Sequence, residues 1–372
     1  MEKRIPAWLV LEDATVFKGW SFGAEGQRTG EVVFNTSMTG YQEIITDPSY
    51  KGQIVAMTYT LMGNYGINKD DMESRRPFLE GFVVKEYSKV ASNWRSEKSL
   101  GAYLKEHGIM GVEGIDTRTL TLHIRQAGAM KAVISTTDLD EKILADKAGN
   151  ARGLVGVDLV REVTIDKAYV WSRAAVKAKK HFKVVVLDCG VKYTILRELM
   201  RRHCAVTVVP AHTPAQDILA LKPDGLLLSN GPGDPAAVGY VVETVRQLMG
   251  KLPIFGICLG HQMIGLALGA KTFKLKFGHH GANHPVKDLR SGKVYITSQN
   301  HGFNVQAETL NSRKVQSTHV NLNDGTLEGL RHKKFPLFSV QFHPEAAPGP
   351  RESEYLFDEF LQMMQRRKGK HA

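Results

Sequence analysis

The sequence predicts a two-domain α/β protein: a mixed domain over residues 1–136, a polar linker region at 137–181 and a doubly wound open sheet over 182–372. Three observations lead there. At 372 residues the chain exceeds what one hydrophobic core usually supports. From Phe182 onward, short apolar runs alternate with helical patterns, as in a sheet covered by helices on both faces. Before about residue 135 the β-like runs are separated by Gly, Pro, Asn and Asp, and two helical segments interrupt them.

In the first half, residues 8–11, 31–35, 54–60 and 81–87 read as strands. Residues 99–107 read as a helix. A second helix starts at a cap, Asp116, places Leu120, Ile124 and Ala127 along one face, and stops near Gly128. In the second half, 183–188 is a continuous apolar run, the signature of a strand buried on both faces. A helix at 194–202, a strand at 205–209, a helix at 215–221, a strand at 225–229, a helix at 238–250 and a strand at 253–257 follow.

Hydrophobic residues make up 42% and charged residues 23%, which excludes a disordered or fibrous chain. No apolar run is long enough to cross a bilayer, and the first residues lack the apolar length and cleavage site of a secretory signal. Three cysteines without a CxxC pair fit a reducing compartment, so a cytoplasmic protein is expected. The formal charge of +11 invites a nucleic-acid reading. The densest basic stretches, 173–183 and 366–370, carry no interleaved aromatics and no binding module, so neither nucleic acid nor membrane is expected as a partner.

The chemical centre is the run 253–262, an apolar strand that enters Gly256-Ile257-Cys258-Leu259-Gly260 and continues as a helical pattern. It is the cysteine counterpart of a nucleophile elbow. A side chain on so sharp a turn sits on strained backbone, and small residues two positions to either side relieve the crowding. Such a turn projects the sulfur at a helix N-terminus, with the Leu259 N–H free for an oxyanion. A helix terminus contributes only about 0.3–1 kcal/mol, less than the ~1.36 kcal/mol of one pKa unit, so a thiol near pKa ~8.5 still needs a base. Phe342-His343-Pro344-Glu345 supplies one: Pro344 disfavours helix at His343, and residues two apart on an extended chain share a face. Glu345 would then orient His343 as the third member of a triad. A lone buried cysteine is usually a small hydrophobe, which is the reading for Cys189 and Cys204. For Cys258, flanking glycines and a His-x-Glu in the same domain favour catalysis.

These residues carry a resemblance. Residues 256–262 with His343-Pro344-Glu345 resemble the class I glutamine amidotransferases, and the loop 229–235 resembles their oxyanion-side loop. Residues 277–286 and 297–303, with 30–43 and 114–118 in the first half, are similar to the carbamoyl-phosphate synthetase small-subunit family, so the likeness spans nearly the whole chain. The resemblance implies an amidotransferase-like sheet domain and a separate β/β/α N-terminal domain. It implies hydrolysis of L-glutamine through a Cys258 γ-glutamyl thioester, with His343 as base and Glu345 as its partner. Backbone groups of Leu259 and Gly231 would face the oxyanion, while Ser37, Gly233, Gln262, Asn300, Gly302 and Phe303 would hold the amino-acid end. The partner implied is a large synthetase subunit, in a heterodimer or a higher oligomer, which binds ATP and divalent metal, so no cofactor or metal is expected in this chain. Cys189 departs from the family, which usually has an aromatic there.

Other motifs are weaker. Residues 231–236 loosely fit a dinucleotide fingerprint, but the prolines disturb it. His279, His280 and His284 match no standard zinc spacing. Alternatives left open are a glutaminase serving another synthetase, such as one making anthranilate or GMP, a noncatalytic glutamine-binding regulatory subunit, and a cysteine hydrolase of other amides.

Overall fold

The computed structural model describes residues 4–171 and 182–369. The basic run at 173–183 therefore lies outside the described residues up to 181, as does Lys370 of the tail. The chain separates into two compact units, Met1–Val157 with Lys276–Gly281, and Asp158–Leu275 with Ala282–Ala372.

In the first unit, β1 (Pro6–Leu11), β2 (Val16–Ser21), β3 (Gln27–Asn35), α1 (Tyr41–Thr46), β4 (Gln53–Met57), β5 (Leu61–Met62), β6 (Gly81–Val83), β7 (Glu86–Tyr87), α2 (Leu100–Glu106), β8 (Met110–Glu113), α3 (Thr117–Ala127), β9 (Met130–Ser135) and α4 (Glu141–Gly149) follow one another. Seven of these strands close into a barrel in the order β1-β2-β8-β6-β4-β3-β9. Alternation along each strand sorts the side chains. Leu9 and Leu11, Val32 and Phe34, Ile54 and Ala56 join one core that draws on every barrel strand, while Val33, Val55 and Met57 pack outward with α1 and α2. The closed barrel is more specific than the mixed domain read from periodicity.

Local signals explain the helices. Ser99 caps α2 by accepting from the Ala102 N–H, and Asp116 caps α3 by accepting from the Thr119 N–H. Leu120 and Ile124 are buried as expected, but Ala127 is exposed in the last turn of α3. The strand expected at 81–87 is broken into β6 and β7, and the one at 54–60 ends at Met57. Within the polar stretch 137–181, α4 seats Leu144 and Ala148 against Val10 and Val133. Two buried apolar residues in nine leave too faint a period to read from sequence.

The second unit contains α5 (Val160–Val163), β10 (Tyr169–Val170), β11 (Lys183–Asp188), α6 (Tyr193–Arg201), β12 (Ala205–Pro210), α7 (Ala215–Ala220), β13 (Gly225–Leu228), α8 (Gly239–Leu248), β14 (Ile254–Ile257), α9 (Leu259–Ala267), β15 (Thr272–Asp288), β16 (Val294–Val305), β17 (Val315–Asn321), β18 (Leu327–His332), β19 (Leu337–Val340) and α10 (Tyr355–Lys368). Strands β12-β11-β13-β14-β19 run parallel, and β18, β17 and the end of β15 extend the sheet antiparallel. Both faces are covered. Val185, Leu187, Leu226 and Leu228 pack with α7, α8 and α9, whereas Val184, Val186, Leu227 and Phe255 pack with α6 and α10. This is the doubly wound arrangement read from the sequence, and it leaves the carboxyl ends of β13, β14 and β19 side by side.

Candidate active site

Cys258 lies between the end of β14 and the first residue of α9, with φ 53° and ψ −105°, a conformation that L side chains rarely adopt. The turn is so tight that its flanking glycines cannot be replaced without displacing backbone. A Cβ on Gly256 would sit 2.7 Å from Gly260 O, and one on Gly260 would sit 2.4 Å from Leu228 O. The Cys258 N–H donates to Val340 O at 2.9 Å, which ties the elbow to the neighbouring parallel strand. That strand runs on to His343, whose N–H donates to Ser298 O at 2.9 Å. Parallel register thus delivers the two side chains to the same end of the sheet.

Both are buried, Cys258 at 1% and His343 at 2% exposure. The imidazole Nδ1 lies 2.7 Å from Glu345 Oε1, and Glu345 is in turn paired with Lys192 Nζ at 3.0 Å. Lys192 also donates to Ala346 O. Burial opposes charge on the imidazole, but the Glu345 carboxylate and the Cys258 sulfur outweigh it and raise His343 to about 10. Burial likewise opposes ionisation of Glu345, yet Lys192 and His343 hold its carboxyl below the usual range. His343 Nε2 is buried and makes no hydrogen bond of normal geometry, while the sulfur is near enough to favour the protonated ring. The result is a relay in which Lys192 keeps Glu345 anionic, Glu345 sets the ring's orientation, and the ring faces Cys258.

The sulfur has two further contacts. It donates to Asn300 O at 3.5 Å and accepts from Gln341 Nε2 at 3.7 Å. Gln341 Oε1 accepts from Gln262 Nε2 at 3.1 Å, and the same Gln262 nitrogen donates to Phe303 O at 2.7 Å. Leu259 opens α9, so helix geometry leaves its N–H without an intrahelical acceptor. Gly231 follows β13, where a Cβ would meet Cys189 O at 2.1 Å and Leu259 Cδ2 at 2.8 Å. Gly233 lies two residues on with φ 84°, and Gly302 lies in β16 between Asn300 and Phe303. Ser37 belongs to the first unit, where it is buried after β3 and its N–H donates to Asn35 Oδ1 at 2.7 Å.

Sequence reasoning missed Lys192 and Gln341. Gln341 had a readable signal, being two residues before His343 on the same extended run. Lys192 had none, since a lysine before a helix is ordinarily solvated. The remaining cysteines behave as hydrophobes: both are wholly buried, and burial pushes the Cys189 thiol upward and the Cys204 thiol up to about 12. The cysteine at 189 is accommodated by packing with Val185 and Leu187 on one face of the sheet.

Comparison with known proteins agrees with this geometry. Residues 185–363 match the family model for glutamine amidotransferase class-I, and residues 9–134 match that for the carbamoyl-phosphate synthase small chain, CPSase domain. The chain is 55% identical over 369 residues to the carbamoyl phosphate synthase small chain of Syntrophotalea carbinolica, covering 97% of this chain and 98% of that one. It is 53% identical over 370 residues to the protein of the same name from Aquifex aeolicus, covering 97% and 100%. With the small chain of Thermus thermophilus it shares 51% over 367 residues, covering 96% and 92%. An elbow cysteine facing a buried His-Glu pair, in a chain matched end to end by these relatives, places the protein in the carbamoyl-phosphate synthase small chain family, with a class-I glutamine amidotransferase domain as its second half.

Proposed function

We propose that the chain hydrolyses L-glutamine to glutamate and ammonia and hands the ammonia to a large, ATP-dependent partner chain that makes carbamoyl phosphate from bicarbonate. The observation that carries this reading is the strained Cys258 at the head of α9 with the His343–Glu345–Lys192 relay behind it. The proton of the Cys258–His343 pair is held on His343 Nε2 as sulfur attacks the carboxamide carbon, and the N–H groups of Leu259 and Gly231 take the charge that develops on oxygen. His343 returns the proton to the departing nitrogen, so the C–N bond breaks, ammonia leaves and a γ-glutamyl thioester remains. Water, deprotonated by the same imidazole, then cleaves the thioester to glutamate and the free thiol. Gln262, Gly233, Asn300, Gly302 and Phe303 hold the amino-acid end. ATP and divalent metal belong to the large partner. Ammonia in neutral water is mostly protonated and no longer nucleophilic, so direct transfer gives the association its chemical reason. The three free cysteines suit a reducing, cytoplasmic setting. Among the described residues, no helix is long and apolar enough to cross a membrane.

The test is carbamoyl phosphate synthesis by the chain co-purified with its large partner. Cys258→Ala should lower glutamine-dependent synthesis on the order of 10³-fold or more while leaving ammonia-dependent synthesis intact. Glutamine turnover surviving in that variant would refute the thioester route. A wild-type chain that binds glutamine without hydrolysing it would favour a regulatory role instead.

A further inference from the structure

The first unit carries a second recess that the chemistry above does not use, a cavity of about 980 Å³ between β2, β7 and α2. Its floor is aromatic. Phe22 stacks on Tyr87 with ring centroids 4.5 Å apart, and Trp20 stands at the margin, 37% exposed, beneath the Arg4 guanidinium at 5.7 Å. The walls are basic: Arg4, Lys89 and Lys105 are exposed around it, against one carboxylate, Glu113. Glu113 is already engaged, since its Oε2 accepts from the Tyr87 N–H at 3.2 Å. The unbalanced charge of the recess is therefore positive.

The loop that leaves the recess at Lys89 and returns at Ser99 presents Val90 at 75% and Trp94 at 93% exposure. Trp94 is not carried on a loose tip. The Ser92 N–H donates to Asn64 O at 2.8 Å, and Arg95 next to Trp94 is clamped to Asp71 at 2.6 Å. A nearly bare indole on an anchored loop, whose two ends line a basic recess with an aromatic floor, has the composition of a protein-binding hot spot.

We infer that this face docks the large synthase chain through an acidic segment bearing an apolar side chain: carboxylates meet Lys89, Lys105 and Arg4, the apolar side chain covers Trp20 and Phe22, and Trp94 inserts alongside. The choice of occupant follows from charge complementarity and rests on the functional reading above, which requires a large partner.

The experiment uses the full chain and its purified large partner. The double variant Lys89→Glu/Lys105→Glu and the single variant Trp94→Ala should each weaken the complex on the order of tenfold or more. Wild-type affinity should fall with added salt, and that of the charge-reversed variant should respond much less. Circular dichroism and glutaminase activity of the isolated chain should match wild type, because none of the three residues touches the Cys258 site. Wild-type affinity in both variants would overturn the proposal while leaving the amidotransferase reading intact. So would a change confined to self-association of this chain, measured by light scattering. A wild-type chain that forms no complex with the large partner would instead sink the reading on which the proposal rests.

Discussion

At the scale of single residues, the site is an arrangement of charge in a place that resists charge. His343 and Glu345 are both buried, and each is ionised only because the other, with Lys192 and Cys258, is near. Titration should expose this. His343 keeps its proton to higher pH in the folded chain than in the unfolded one, so the folded state binds more protons in that window and stability falls as pH rises. The contribution is fully present below the ordinary value of 6.5 and is lost on approaching about 10. The stability difference between wild type and His343→Gln, measured by urea denaturation, should therefore shrink from pH 6.5 to 10. Parallel curves would contradict the assignment. Glu345 acts at the opposite end, because its lowered carboxyl contributes above 4.5 and loses that contribution as pH falls toward about 2. The juxtaposition at this scale was largely legible: Cys258 is marked by the glycines two positions to either side, and His343 and Glu345 by their spacing of two around Pro344. Lys192 is not, since its partner is 153 positions away and no local pattern marks it.

At the scale of elements, the elbow shows what holds the sulfur in place. Two strands and one helix converge there, and close backbone approaches at Gly256 and Gly260 leave no room for side chains. The strain at Cys258 leads to an expectation that reverses the usual rule. Gly is ordinarily less stable than Ala by about 0.5–1 kcal/mol in a helix or strand. At this positive φ, Cys258→Gly should instead be more stable than Cys258→Ala, by roughly 1 kcal/mol, with both variants inactive. Thermal denaturation of the pair decides it, and Ala equal to or above Gly would mean that the backbone is relaxed. The sheet elements of the second unit were readable because strands covered on both faces are continuous apolar runs. Strands β2, β8 and β9 of the barrel were not, as they mix Lys, Gly, Glu and Ser with the apolar residues that face the core. Barrel closure is a long-range fact, since β1 pairs with β9 across more than a hundred residues, and no short window of sequence contains it.

At the scale of the whole molecule, the two units are not two stretches of chain. Lys276–Gly281 leaves the second half of the sequence and belongs to the first unit. There the Ala129 N–H donates to Lys276 O at 2.7 Å, the Thr36 N–H donates to His280 O at 3.3 Å, and Phe277 packs against Phe34 at 5.9 Å. Two hydrogen bonds and a partly buried aromatic are worth roughly 2–4 kcal/mol together. A fragment of residues 1–157 should be less stable than the same unit in the full chain by about that amount. A synthetic peptide spanning 272–288 should restore part of the loss, read from the shift in urea midpoint; a midpoint indifferent to the peptide would show that the strand is dispensable.

The borrowed strand also sets a timetable for biosynthesis. A nascent chain can begin the barrel as soon as β9 leaves the ribosome, but it must wait for a segment encoded much later. At about 5–20 residues per second that delay is roughly 7–29 s. During it, the side of Phe34 that Phe277 covers and the Thr36 amide stand open, a window in which a chaperone, rather than the protein itself, would have to shield them.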